Sequence, residues 1–182
     1  MDNYEEVARM NPEYSDQIEA LYIELYDKLT VYARNALVSD SLAEEAVQET
    51  FQIACQKPES VFESPNPQGW IFNTLKFTIK NIKSSQASAK NILDTYLLNY
   101  ADELAITEDQ LSIDVMYGNL ANTEELQILK EMAIEGRSHA EMAAKRGITI
   151  SACKKRVQRA KEKLQQKLKD CLEIPPVKNR VK

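Results

Sequence analysis

The stretch 138-SHAEMAAKRGITISACKKRV-157 decides how this chain is read. Ser138, with Glu141 three residues on, is a box that opens a helix. Gly147 stops that helix, a three-residue turn follows, and Thr149 is a suitable cap for a second, longer helix from about Ile150. Ala143 is small where the two helices would cross, and Gly147 can take the positive φ the turn needs. These are the proportions of a helix-turn-helix. Along the second helix Ile150, Cys153, Val157, Ala160, Leu164 and Leu168 recur at steps of three and four, so that stripe faces inward. Lys154, Lys155, Gln158, Arg159 and Lys161 are left pointing outward, in the turns where a recognition helix meets base edges and phosphates.

The charge of this region stands against the rest of the chain. Residues 151–169 hold eight Lys or Arg and one Glu, although the 182-residue protein has a net charge of −5 and a pI near 5.1. Residues 1–135 carry 9 basic and 24 acidic side chains, and residues 136–182 carry 14 and 4. A smaller basic island holds Lys76, Lys80, Lys83 and Lys90 with no acid between Glu63 and Asp94. Residues 91–135 then swing back, with ten acids against Lys130 alone. Such asymmetry points to separate surfaces for separate partners. A solvated cationic helix is the plainer explanation of 151–169, but cations placed immediately after a well-formed turn favour DNA.

Outward from this segment the reading is helical almost throughout. Ile18, Leu21, Tyr22, Leu25, Leu29, Ala33 and Leu37 share one face of a helix over 15–37. Ser41 with Glu44 reads as the box opening the next helix, whose buried stripe is Ala43, Ala46, Val47, Thr50 and Ala54, and Pro58 closes it. Asn66-Pro67 starts a third helix that runs to about Lys83, where SSQASAK (84–90) weakens the signal before Ile92, Leu93, Tyr96 and Tyr100 resume an apolar face. Residues 101–119 read as an acidic linker. Asn122 with Glu125 marks the next helix, which Gly136 ends. The expected fold is all-α: an N-terminal helical domain over 1–100, a flexible acidic linker over 101–119, a helix-turn-helix domain over 120–172 and a mobile tail over 173–182.

Four glycines cannot build a glycine-rich phosphate loop. Cys55, Cys153 and Cys171 form no C-x-x-C pair, which gives no metal site and fits a reducing cytoplasm. The polar, acidic N-terminus reads as neither secretory signal nor membrane anchor. His139 stands beside a helix cap and is a poor candidate for a base. No catalytic residue, cofactor or metal is expected.

EGRSHAEMAAKRGITISACKKRVQRAKEKL (135–164) resembles the C-terminal helix-turn-helix domain of bacterial RNA polymerase sigma factors, most closely the two-domain extracytoplasmic-function (ECF) group of the sigma-70 family. SLAEEAVQETFQIA (41–54) and NPQGWIFNTLKFTIKNI (66–82) resemble the first sigma domain. The resemblance implies a cytoplasmic, non-enzymatic subunit that binds core RNA polymerase, at its β′ clamp and β flap, and directs promoter-specific initiation. It places Glu44, Glu45, Gln48, Glu49 and Phe51 in polymerase binding, the four polar residues forming an exposed face. It places Trp70, Lys76, Phe77, Lys80, Asn81 and Lys83 at the minus-ten element, beside a base pocket built from SVFESPNPQG (60–69). Lys154, Lys155, Gln158, Arg159 and Lys161 fall to the minus-thirty-five element. The linker would thread a basic path in the polymerase, and an anti-sigma factor is left open as a further partner. The sequence departs from the family pattern at Phe77, where Asn is common, at Arg146, where Leu is usual, at Ser151-Ala152-Cys153 in place of Gly-Thr-Val, and at LANTEE (120–125), which lacks the usual Leu-Pro. The alternative reading is a stand-alone helix-turn-helix regulator with an N-terminal interaction domain.

Overall fold

The computed structural model describes residues 12–103 and 123–173, and every regular element among them is a helix. The stretches expected as linker beyond residue 103 and as tail beyond residue 173 lie outside the described residues, as does Asn122. The elements are α1 (Pro12–Ala36), α2 (Asp40–Gln56), α3 (Pro58–Phe62), α4 (Pro67–Glu103), α5 (Glu124–Ala133), α6 (His139–Arg146) and α7 (Ile150–Glu173). The chain divides into two compact units, Met1–Ser85 with Gly136–Ala140, and Gln86–Glu135 with Glu141–Lys182.

The first unit is built on α1 and α2. Ile18, Leu25, Leu29 and Ala33 line the inner side of α1, as their spacing predicts, and the whole expected stripe of α2 is buried. Ile71, Leu75 and Ile79 of α4 and Val61 of α3 join the same core. Small residues on α2 let neighbouring elements approach closely. Tyr22 remains 39% exposed and sets its ring edge-on to Phe51, centroids 4.8 Å apart.

The start of α2 and the end of α4 differ from the sequence expectation. The cap of α2 is Ser39, not Ser41. Ser39 has extended backbone and its hydroxyl accepts from the Leu42 N–H at 3.2 Å. Asp40, paired with Arg34 at 3.2 Å, is thereby the first helical residue, and Ser41 is free to bond elsewhere. The third expected helix does start at the Asn66 cap, whose Oδ1 accepts from the Gly69 N–H at 2.8 Å. It does not fade near Lys83 but runs on as α4 to Glu103. Residues 84–90 contain no Gly or Pro, and the serines cost only tenths of a kcal/mol, so nothing breaks the hydrogen-bond ladder.

The second unit has its own core. Ala89, Ile92, Leu93 and Leu97 of α4 pack with Leu126, Ile128, Leu129 and Met132 of α5, with Met142 and Ala143 of α6, and with α7. Thr123 caps α5, its hydroxyl accepting from the Leu126 N–H at 3.5 Å, one residue past the expected Asn122.

Candidate nucleic-acid interface

The turn between α6 and α7 follows from three local choices. Gly147 sits at φ +61°, the left-handed region, and nothing lies within 4 Å of a Cβ placed there. The demand for glycine is therefore one of backbone and not of space. The N–H of Ile148 closes on the Ala143 carbonyl at 3.1 Å. Thr149 then caps α7, accepting from the Ala152 N–H at 3.2 Å. Met142 and Ala143 are buried on the inner side of α6.

One buried carboxylate ties this turn to α5. Glu131, 6% exposed, accepts from Arg146 Nη1 at 2.7 Å and from Lys145 Nζ, while Arg146 also donates to the Met142 carbonyl at 3.2 Å. Burial by itself raises the Glu131 carboxyl, but the hydrogen bonds and charges of Lys145 and Arg146 outweigh it and hold it below its ordinary value. Arg146, at a position where an apolar residue was the family expectation, thus acts as a polar strut.

Along α7, Cys153, Val157, Ala160, Leu164 and Leu168 are buried as expected. Ile150 is not; it is 43% exposed, because the first residue of the helix lies at the turn, before the stripe reaches the core. The five candidate DNA-facing residues divide. Lys155, Gln158 and Arg159 are exposed, whereas Lys154 and Lys161 are half-buried, and burial pulls the Lys161 ammonium below its ordinary pKa. Gln158 donates to Glu162 at 2.7 Å, spanning one turn. Two cations the sequence reading passed over have partners on α5: Arg156 pairs with Glu124 at 2.9 Å, and Lys163 pairs with Glu125. Hydrogen bonding from Lys163 lowers the Glu125 carboxyl. The acids Glu124 and Glu125 at the start of α5 were the available signal. They are too few in sequence to say which cations they would meet.

In the first unit, Lys76, Phe77, Lys80, Asn81 and Lys83 all lie exposed on α4, with Phe77 60% open. Trp70 is half-buried, part of its ring against the core. Trp70 and Phe77 line a cleft of about 700 Å³, with Asn66, Asn73, Thr74 and Lys57 among the other lining residues. Ser64, Pro65 and Asn66 before α4, and Gly69 in its first turn, also line the cleft. Asn73 and Lys57 were missed. Asn73 was findable, since it lies three residues after Trp70 and four before Phe77 on one helix face.

The polar face expected on α2 is only partly exposed. Glu44 and Gln48 are open and Glu49 is half-buried, but Glu45 is 8% exposed and Phe51 is 6% exposed. Glu45 turns inward because its carboxylate accepts both the main-chain N–H of His139, at 2.7 Å, and a contact from His139 Nδ1 at 2.5 Å. Phe51 is core, against Tyr22.

Among the described residues there is no cluster of three His, Cys, Asp or Glu placed to hold a metal ion, and no helix long and apolar enough to cross a membrane. A left-handed glycine between α6 and a Thr149-capped, cation-bearing α7 gives the form of a helix-turn-helix. Residues 123–164 match the family described as Sigma-70, region 4, a family of transcription factors and not of enzymes, which supports a sigma-70 family protein. No curated protein and no solved structure matches the chain.

Proposed function

We propose that the chain is a sigma factor of the two-domain ECF type, which binds core RNA polymerase and directs initiation at particular promoters. The observation that carries this reading is the region 4 match falling on a helix-turn-helix whose second helix exposes Lys155, Gln158 and Arg159. In this reading these residues meet the minus-thirty-five duplex, with Lys154 and Lys161 flanking them. Each phosphate neutralised adds roughly 0.9 to the negative slope of log affinity against log salt.

The cleft beside Trp70 suits an unstacked base of the minus-ten element: it joins an aromatic wall to amide and hydroxyl groups that can bond a base edge. Phe77 adds a stacking surface, and Lys76, Lys80 and Lys83 supply charge along the strand. Glu44, Gln48 and Glu49 on α2 face the basic clamp of the polymerase, while Glu45 is held against His139 and Phe51 supports that helix from beneath.

Transcription in vitro with purified core polymerase and a genomic promoter library tests the proposal. Start sites that depend on the added protein are expected. Lys154→Ala with Arg159→Ala is expected to abolish initiation that needs the upstream element while sparing polymerase association. Specific binding to a palindromic duplex without polymerase, and no association with core enzyme, would instead identify a stand-alone regulator.

A further inference from the structure

Residues 136–140, the sequence GRSHA, lie almost a hundred positions from α2 and yet belong to the first unit. They meet the start of α2 through polar contacts. Ser39 Oγ donates to the Gly136 carbonyl at 3.4 Å, the hydroxyls of Ser41 and Ser138 lie 2.5 Å apart, and His139 engages both oxygens of Glu45. Ser138 is fully buried by this arrangement. Glu44 and Gln48 stay exposed on the same helix, so the covered part of its polar face centres on Glu45.

We propose that residues 136–140 are a releasable latch on the polymerase-docking face of α2, an inference that rests on the docking reading given above. With the latch closed, Glu45 is withheld from a basic partner surface. With it open, Glu45 joins Glu44 and Gln48.

Two features make the segment suited to release. None of its five residues belongs to the apolar core of the first unit, and none is a large apolar side chain, so little hydrophobic burial opposes its departure. The contacts are also exchangeable. A Lys or Arg of the partner can replace both hydrogen bonds that His139 makes, so the Glu45 carboxylate changes partner and is never left buried alone. A closed latch lowers the apparent affinity for the partner by the fraction of chains that are open.

The test is the affinity of the full chain for core RNA polymerase in three forms: unaltered, His139→Ala, and Ser41→Cys with Ser138→Cys. The His139→Ala chain is expected to bind about five- to tenfold more tightly, with helical content unchanged by circular dichroism. The double-cysteine chain, oxidised to its disulfide, is expected to bind at least about tenfold more weakly than when reduced, with each single-cysteine chain indifferent to oxidation. Equal affinity of the unaltered and folded His139→Ala chains, or of the oxidised and reduced pair, overturns the latch alone. Should His139→Ala lose its helical content, the oxidised and reduced pair decides. Failure of every form to bind overturns the docking reading and the latch with it.

Discussion

Thr30 shows what a single buried atom costs. It is 7% exposed in the first core, and its hydroxyl has no hydrogen-bond partner among the described residues. The other buried threonines bond back along their own helices, Thr50 to the Ala46 carbonyl at 2.7 Å and Thr78 to the Thr74 carbonyl at 3.0 Å. Thr30→Val keeps the shape and removes the unpaired hydroxyl, so urea unfolding is expected to show a gain of about 1 kcal/mol. Glu131 carries the opposite sign of argument. Its pKa is depressed in the fold, so its ionised form contributes stability above the ordinary value of 4.5, and that contribution fades as pH falls through the lower, folded value. The stability difference between the unaltered chain and Glu131→Gln is expected to shrink as unfolding is moved from about pH 6 to about pH 3.5. A difference that stays constant would mean that charge pairing with Lys145 and Arg146 contributes nothing.

At the scale of elements, α7 has three faces and not two. One is apolar and buried, one lies toward α5 and pairs Arg156 and Lys163 with its acids, and one exposes Lys155, Gln158 and Arg159. The cationic count of the helix therefore overstates what DNA can meet. Lys155→Ala with Arg159→Ala is expected to flatten the salt dependence of duplex binding by roughly 1.8 in slope, two phosphates' worth. Arg156→Ala is expected to leave the slope nearly unchanged. Fluorescence anisotropy over a salt series measures both. The same two-sidedness applies to α2, where Glu44 and Gln48 are surface and Glu45 is structure. The periodicity of a helix says which residues share a face. It does not say what lies opposite that face, and the burial of Glu45 comes from His139, 94 positions away.

For the whole molecule, the two units hold separate cores that share no buried residue. Leu29 belongs to one and Leu129 to the other, both fully buried. Each substitution to Ala is expected to cost about 2–5 kcal/mol. With no shared partner, the double substitution is expected to equal the sum of the two within about 0.5 kcal/mol, measured by denaturant unfolding. A larger departure would show that the cores are energetically coupled. The chemistry is divided in a similar way. An aromatic cleft with a lysine row belongs to the first unit, and the turn at Gly147 with α7 to the second.

The amino-acid sequence by itself determined the all-helical class, the stripes of α1, α2 and α7, the Asn66 and Thr149 caps and the turn at Gly147. Each of these depends on residues within a turn or two of one another, where backbone hydrogen bonding and side-chain spacing act directly. Only the tertiary structure decided that α4 carries residues into both cores, that Ser39 and not Ser41 caps α2, that Glu45 is buried and that Arg156 and Lys163 are paired. Those outcomes turn on which distant group occupies the space opposite a side chain. A polar side chain takes whatever partner that space holds, and local pattern carries no record of it.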